Sequence, residues 1–166
     1  MGNFSKYGYC VLLLLIFLNA AMAQSDFYGR LADSAHTLTR QKVVYDLSYF
    51  RINYPMGDVP TDKGVCTDVV IRAFRKAGVD LQKEVHEDMS KNFAVCPKKW
   101  GLKKADSNID HRRVPNLQTF FTRQGKSLPI TNKAENYKPG DVVTWDLNDK
   151  GLTHTGLVSN IWNETT

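Results

Sequence analysis

The chain has 166 residues, of which 42% are hydrophobic, 11% aromatic and 23% charged, a mixture typical of one globular domain. This excludes collagen-like repeats, low-complexity disorder, coiled-coil arrays and a multi-span membrane protein. Twenty-two basic against 17 acidic residues give a net charge of +5. The longest basic clusters are the pairs Lys98-Lys99, Lys103-Lys104 and Arg112-Arg113, too thin a footprint for nucleic acid. An anionic partner such as a cell-wall polymer is permitted, but charge alone does not identify it.

Residues 1–23 read as a secretory signal peptide. Lys6 precedes the apolar run Val11 to Leu18, and Ala21-Met22-Ala23 supplies the small residues of a cleavage site. The run is shorter than the roughly 20 apolar residues that span a bilayer, so no lasting membrane insertion is expected. The domain is then 24–166, in a periplasmic or secreted setting. Cys10 leaves with the signal, and Cys66 and Cys96 remain in an oxidising compartment where a disulfide between them is one expectation.

Leu31, Ala35, Leu38, Val43 and Leu47 fall at roughly helical spacing and predict a helix from Asp26 to Asp46. Tyr54 to Pro60 holds two prolines and a glycine and reads as a loop. A second helix is predicted from Thr67 to Ala77, closed by Gly78, with Val69, Val70, Ala73, Phe74 and Ala77 facing inward. Glu84 to Asn92 predicts a short helix, Lys98 to Asn108 an irregular segment, and Val114 to Gly125 a further helix.

After the turn Lys138-Pro139-Gly140-Asp141 the pattern changes. Val142 to Trp145 and Thr153 to Trp162 are rich in β-branched and aromatic residues and are joined by Asn148 to Gly151, which predicts a hairpin with Trp145 opposite His154. Helices first and strands later indicate an α+β fold, the helices packed on an antiparallel sheet. Two strands make a marginal sheet, so further strands are expected downstream of Thr166.

Cys66 is the strongest chemical signal. It lies in the first turn of the second predicted helix, where unpaired N–H groups and the helix dipole favour a thiolate, and Gly64 leaves space beside it. Three roles stay open: nucleophile, disulfide partner of Cys96, or small buried residue. Among the four histidines, His154 at a strand entrance is the best-placed base, with Gly156 keeping the approach open, whereas His36 and His86 read as solvated helical residues. Asp110-His111-Arg112-Arg113 reads either as a polar loop with internal ion pairs or as a substrate-side wall whose arginines grip a carboxylate. No histidine pair has zinc-ligand spacing, and no cofactor is called for.

Gly64-Val65-Cys66-Thr67-Asp68-Val69-Val70, Asn108 to Leu117, and Pro139 to Leu147 with His154-Thr155-Gly156 together resemble the bacterial domain-of-unknown-function 1287 family, within the NlpC-type branch of papain-like cysteine peptidases. The resemblance runs from about Leu31 to Ser159. It implies a papain-like fold, export, and hydrolysis of amide bonds in peptidoglycan peptides, with Cys66 as nucleophile and His154 as base. Superfamily members carry a third polar residue on the next strand, beyond Thr166 here. Asn160 lies roughly 20 Å along the strand from His154, and Asp146 falls on the opposite face of the hairpin, so neither replaces it. On this reading Asp110, His111, Arg112, Arg113 and Trp145 bind substrate. The competing reading is a non-catalytic envelope-binding module in which Cys66 is structural or bonded to Cys96, and Arg112, Arg113 and Trp145 line the binding surface.

Overall fold

The computed structural model describes residues 27–125 and 127–162. The expected signal peptide lies outside the described residues. Among them, no helix is long and apolar enough to cross a membrane. The elements run α1 (27–38), β1 (Val44–Tyr45), β2 (Lys63–Gly64), α2 (Cys66–Lys76), α3 (Leu81–Asn92), α4 (Val114–Gln124), β3 (Val142–Asp146) and β4 (Thr153–Leu157), with a short 3-10 turn, Asp110–Arg112, before α4. The fold is α+β, as the order of sequence patterns predicts.

The core forms where α2, α3 and α4 bury their apolar stripes together: Val70 and Ile71, Leu81, Val85 and Met89, Leu117 and Phe120, with Cys96 among them. Val142 and Leu157, facing each other at the open end of the β3–β4 hairpin, pack against this cluster and tie it to the helices. On α2 the inward stripe is Thr67, Val70, Ile71 and Phe74, at the i, i+3, i+4, i+7 spacing of a helix face. Val69, expected inside, is 42% exposed, and Ile71 takes the inward place.

The first predicted helix is shorter than its apolar spacing suggests. It ends at 38, where the hydroxyls of Thr37 and Thr39 donate to the carbonyls of Ser34 and His36. The β-branched pair Val43-Val44 then turns extended, and β1 pairs in parallel with β2, Tyr45 opposite Gly64. Bonds from Val44 N–H to the Asp62 carbonyl (2.8 Å) and from Asp46 N–H to that of Gly64 (3.0 Å) hold this pairing. The third helix starts three residues earlier than its sequence pattern indicates because Asp80 caps it, accepting the Gln82 N–H. The hairpin register is the predicted one, Trp145 opposite His154. Gly140, at φ +87°, passes so close to the Tyr28 backbone of α1 that a Cβ there would lie 2.7 Å from its carbonyl oxygen. A side chain at that turn would push α1 off the hairpin.

One buried ion pair sets the mouth of α2. The Arg112 guanidinium donates to both carboxylate oxygens of Asp68, from Nε at 2.9 Å and Nη2 at 3.0 Å, with both side chains almost fully enclosed. The same Asp68 carboxylate accepts the Val65 N–H at 2.7 Å, and the Thr67 hydroxyl donates to the Arg112 carbonyl at 3.1 Å. Removing one partner strands the other charge away from water. Arg112→Met or Asp68→Ala is therefore expected to lower the unfolding free energy by about 3–5 kcal/mol. Urea denaturation followed by circular dichroism reads the loss, and a change under 1 kcal/mol (about a fifth of that) contradicts the role given to the pair.

Candidate functional site

Val65 is extended and Cys66 is the first residue of α2, so its side chain leaves the helix at the end where N–H groups have no partner within the helix. The bonded pair Leu147 N–H to Leu152 carbonyl sets the phase of the hairpin ladder. Counting by alternation, Thr144 and Thr155 form a pair that exchanges no main-chain bonds. The Thr155 N–H consequently faces away from β3, and it points at the Cys66 sulfur. Thr155 itself is buried, its hydroxyl donating across the hairpin to the Val143 carbonyl at 3.0 Å.

The structure thus brings the Cys66 sulfur to the residue next to His154. The imidazole of His154 packs edge-on against Trp145, with ring centroids 4.9 Å apart. Among the described residues no hydrogen bond joins the imidazole to the sulfur. Gly156 serves a different end from the one expected. The Trp145 ring covers it, 3.5 Å from where a Cβ would stand, so the space beside it is taken by tryptophan. Gly64 likewise makes room for the Asp68 carboxylate, which sits 3.2 Å from its Cβ position.

Both described cysteines, Cys66 and Cys96, are free thiols. Cys66 is half-buried against β4, whereas Cys96 sits in the helical core and donates to the Asn92 carbonyl, so the Cys66–Cys96 disulfide is absent. Burial pushes the Cys66 thiol above its ordinary value. The N–H groups of Thr155 and Thr67 draw it back down, and the nearby Asp68 charge adds to the rise. This corrects the expectation of a thiolate ionised by the helix terminus: desolvation outweighs the main-chain N–H groups and favours the protonated thiol.

The Asp110–Arg113 segment is mostly interior. Asp110, His111 and Arg112 are all buried, and the carboxylate that Arg112 grips is Asp68 of the same chain rather than a substrate. Burial raises the Asp110 carboxyl, which lies 3.6 Å from the His86 Nδ1. His86 is therefore half-buried between Asp110 and the Tyr54 ring, not solvated as its helical setting implies. The substrate-wall expectation is corrected for these three residues because all are buried and the Arg112 fork is taken by Asp68. Arg113 stacks its guanidinium on the Trp100 ring at 4.1 Å. Trp145 alone of the five is well exposed, at 42%.

Of the candidates for a third polar residue, Asp146 accepts the N–H groups of Asn148 and Gly151 and so closes the hairpin loop. Asn160 donates to Asp33 of α1 at 2.7 Å. Both have other tasks. Tyr45 is a neighbour of Cys66 that the sequence pattern concealed inside an expected helix. Its signal was the extended-favouring run Val43-Val44-Tyr45.

The profile of the family described as Domain of unknown function (DUF1287) matches residues 32–166. The chain belongs to this family. A protein of Escherichia coli (strain K12) called "Uncharacterized protein YijF" is 55% identical over 130 residues, covering 78% of this chain and 63% of that protein. The chain thus spans less than two thirds of that relative's length. No solved structure matches. The three blocks that carry the resemblance all lie within the matched DUF1287 region.

Two measurements check the electrostatics of this DUF1287 site. With its thiol raised, Cys66 is expected to react with iodoacetamide at a rate that climbs through pH 9, the contribution of Cys96 being subtracted with Cys66→Ser; a plateau below pH 7 contradicts a protonated resting sulfur. Burial, with the Arg112 charge second, holds the His111 imidazole down at about 4. Its unfolded value is about 6.5, so its stabilising contribution is complete above that pH and is lost as the pH falls toward 4. Asp110, raised by burial, works with the opposite sign, so the test is a difference. Between pH 7 and 4.5 the wild type is expected to lose about 2 kcal/mol more than His111→Phe, by chemical denaturation at each pH.

Proposed function

We propose that the chain is an exported cysteine hydrolase of the NlpC-type papain-like class, cutting amide bonds in the peptides of peptidoglycan. The observation that carries this reading is the Cys66 sulfur at the mouth of α2, against the Thr155 N–H and one residue from His154. A helix-borne thiol laid against the strand that bears an imidazole is the arrangement nucleophilic acyl transfer requires. The short basic start, apolar run and Ala21-Met22-Ala23 site support export to the periplasm or beyond, where this polymer is found.

In the mechanism, the His154 imidazole turns from Trp145 to the sulfur and takes its proton. The sulfur attacks the amide carbonyl, a C–S bond forms, and the charge on oxygen is met by main-chain N–H groups at the start of α2. The C–N bond then breaks as the imidazolium gives its proton to the leaving amine. Water, deprotonated by His154, attacks the thioester, releasing the acid and restoring the thiol. A protonated resting sulfur suits this course, in which the base acts during attack rather than before it.

A non-catalytic envelope-binding module of the same fold is the second reading. It draws on the imidazole being packed on Trp145 and not bonded to the sulfur. Digestion of purified peptidoglycan with mass spectrometry of released peptides separates the two. The wild type is expected to release peptides, and Cys66→Ala or His154→Ala to release them at least about 100-fold more slowly. Equal release by Cys66→Ala overturns the hydrolase. A wild type that sediments with the polymer and releases nothing establishes the module.

A further inference from the structure

We infer that Tyr45 is a substrate-positioning residue of the Cys66 site, its phenol donating a hydrogen bond to a main-chain carbonyl of the bound peptide; this rests on the hydrolase reading above. The parallel pairing of β1 with β2 puts Tyr45 opposite Gly64, two residues before Cys66. Side chains alternate along a strand, so Tyr45 shares a face with Val43. Val43 lies 3.5 Å from the Cβ position of Gly64, on the side where the Asp68 carboxylate also stands, 3.2 Å from the same point. That face of β1 is therefore the one turned to the mouth of α2, and Tyr45 forms its wall beside Cys66.

Three further observations give this wall a chemical purpose. Tyr45 is 62% exposed, so packing does not account for its ring. Its neighbour Tyr49 uses its hydroxyl internally, donating to Asp106 and accepting from Asn108, while among the described residues the Tyr45 hydroxyl has no partner. Burial, then the proximity of Cys66 and of Asp68, holds the Tyr45 phenol above its ordinary value, so it stays a donor throughout the range in which the enzyme would work. Trp145, whose ring packs against His154, offers a second exposed ring beside β4. A peptide, with its regular main-chain carbonyls, suits a wall that offers a neutral hydroxyl beside the sulfur.

The test uses the whole chain with soluble disaccharide-peptides released from peptidoglycan as substrate. Tyr45→Phe is expected to raise KM ~5- to 10-fold, the share of one hydrogen bond, with kcat within about 2-fold. The same weakening is expected in direct binding by calorimetry, comparing Cys66→Ala with Cys66→Ala/Tyr45→Phe, which excludes an effect on the chemical step. Unchanged KM and unchanged binding in the Phe variants, where Cys66→Ala abolishes turnover, overturn the inference and leave the hydrolase standing. Turnover that survives Cys66→Ala overturns both.

Discussion

The carboxylate of Asp68 holds three separate segments at one point. It caps α2 through the Val65 N–H, it receives both arms of the Arg112 fork, and it stands over Gly64 of β2. The pair is enclosed, and the mutual attraction of two such charges is largely offset by the water they give up. Its value is better seen in uniqueness than in net stability. A bidentate pair tolerates neither a shift of register nor a rotation of the helix, so the first turn of α2, and Cys66 with it, has one position relative to the Asp110–Arg112 turn.

That constraint explains how a polar trio can serve the fold rather than a ligand. Asp110, His111 and Arg112 look from the sequence like a binding strip, with both signs of charge and an imidazole within three positions. Inside the fold they form a scaffold: Arg112 anchors α2, Asp110 accepts the Asp106 N–H of the preceding turn and, through its carbonyl, the Asn116 amide of α4, and His111 is kept neutral by its surroundings. Burial governs the sulfur as well. Burial and the main-chain N–H groups of Thr155 and Thr67 push the thiol in opposite directions, and burial prevails.

Much of the framework could be read from residue order. α2 and α4, the irregular stretch before Asp110 and the hairpin with Trp145 opposite His154 all follow from local periodicity and turn chemistry. What escaped that reading depends on contacts distant along the chain. Nothing local to Lys63-Gly64 marks a strand; it becomes one because Val44 and Asp46 donate to the carbonyls of Asp62 and Gly64. The apolar spacing through Leu47 mimics a helix, yet Leu47 ends 77% exposed beyond the turn at 38. The site residues divide in the same way. Cys66 was legible from its place at a helix start, whereas the inward commitment of Arg112 was not, because its partner lies 44 positions away.

The donor that meets the Cys66 sulfur belongs to the main chain of Thr155 and not to a side chain. Replacing that threonine with most other residues would alter packing under the hairpin yet leave the donor in place, since every amino acid but proline carries it. The polarity around the sulfur is in this sense written into the path of the backbone. A substitution at position 155 other than proline keeps that polarity, so long as β4 keeps its course past the mouth of α2.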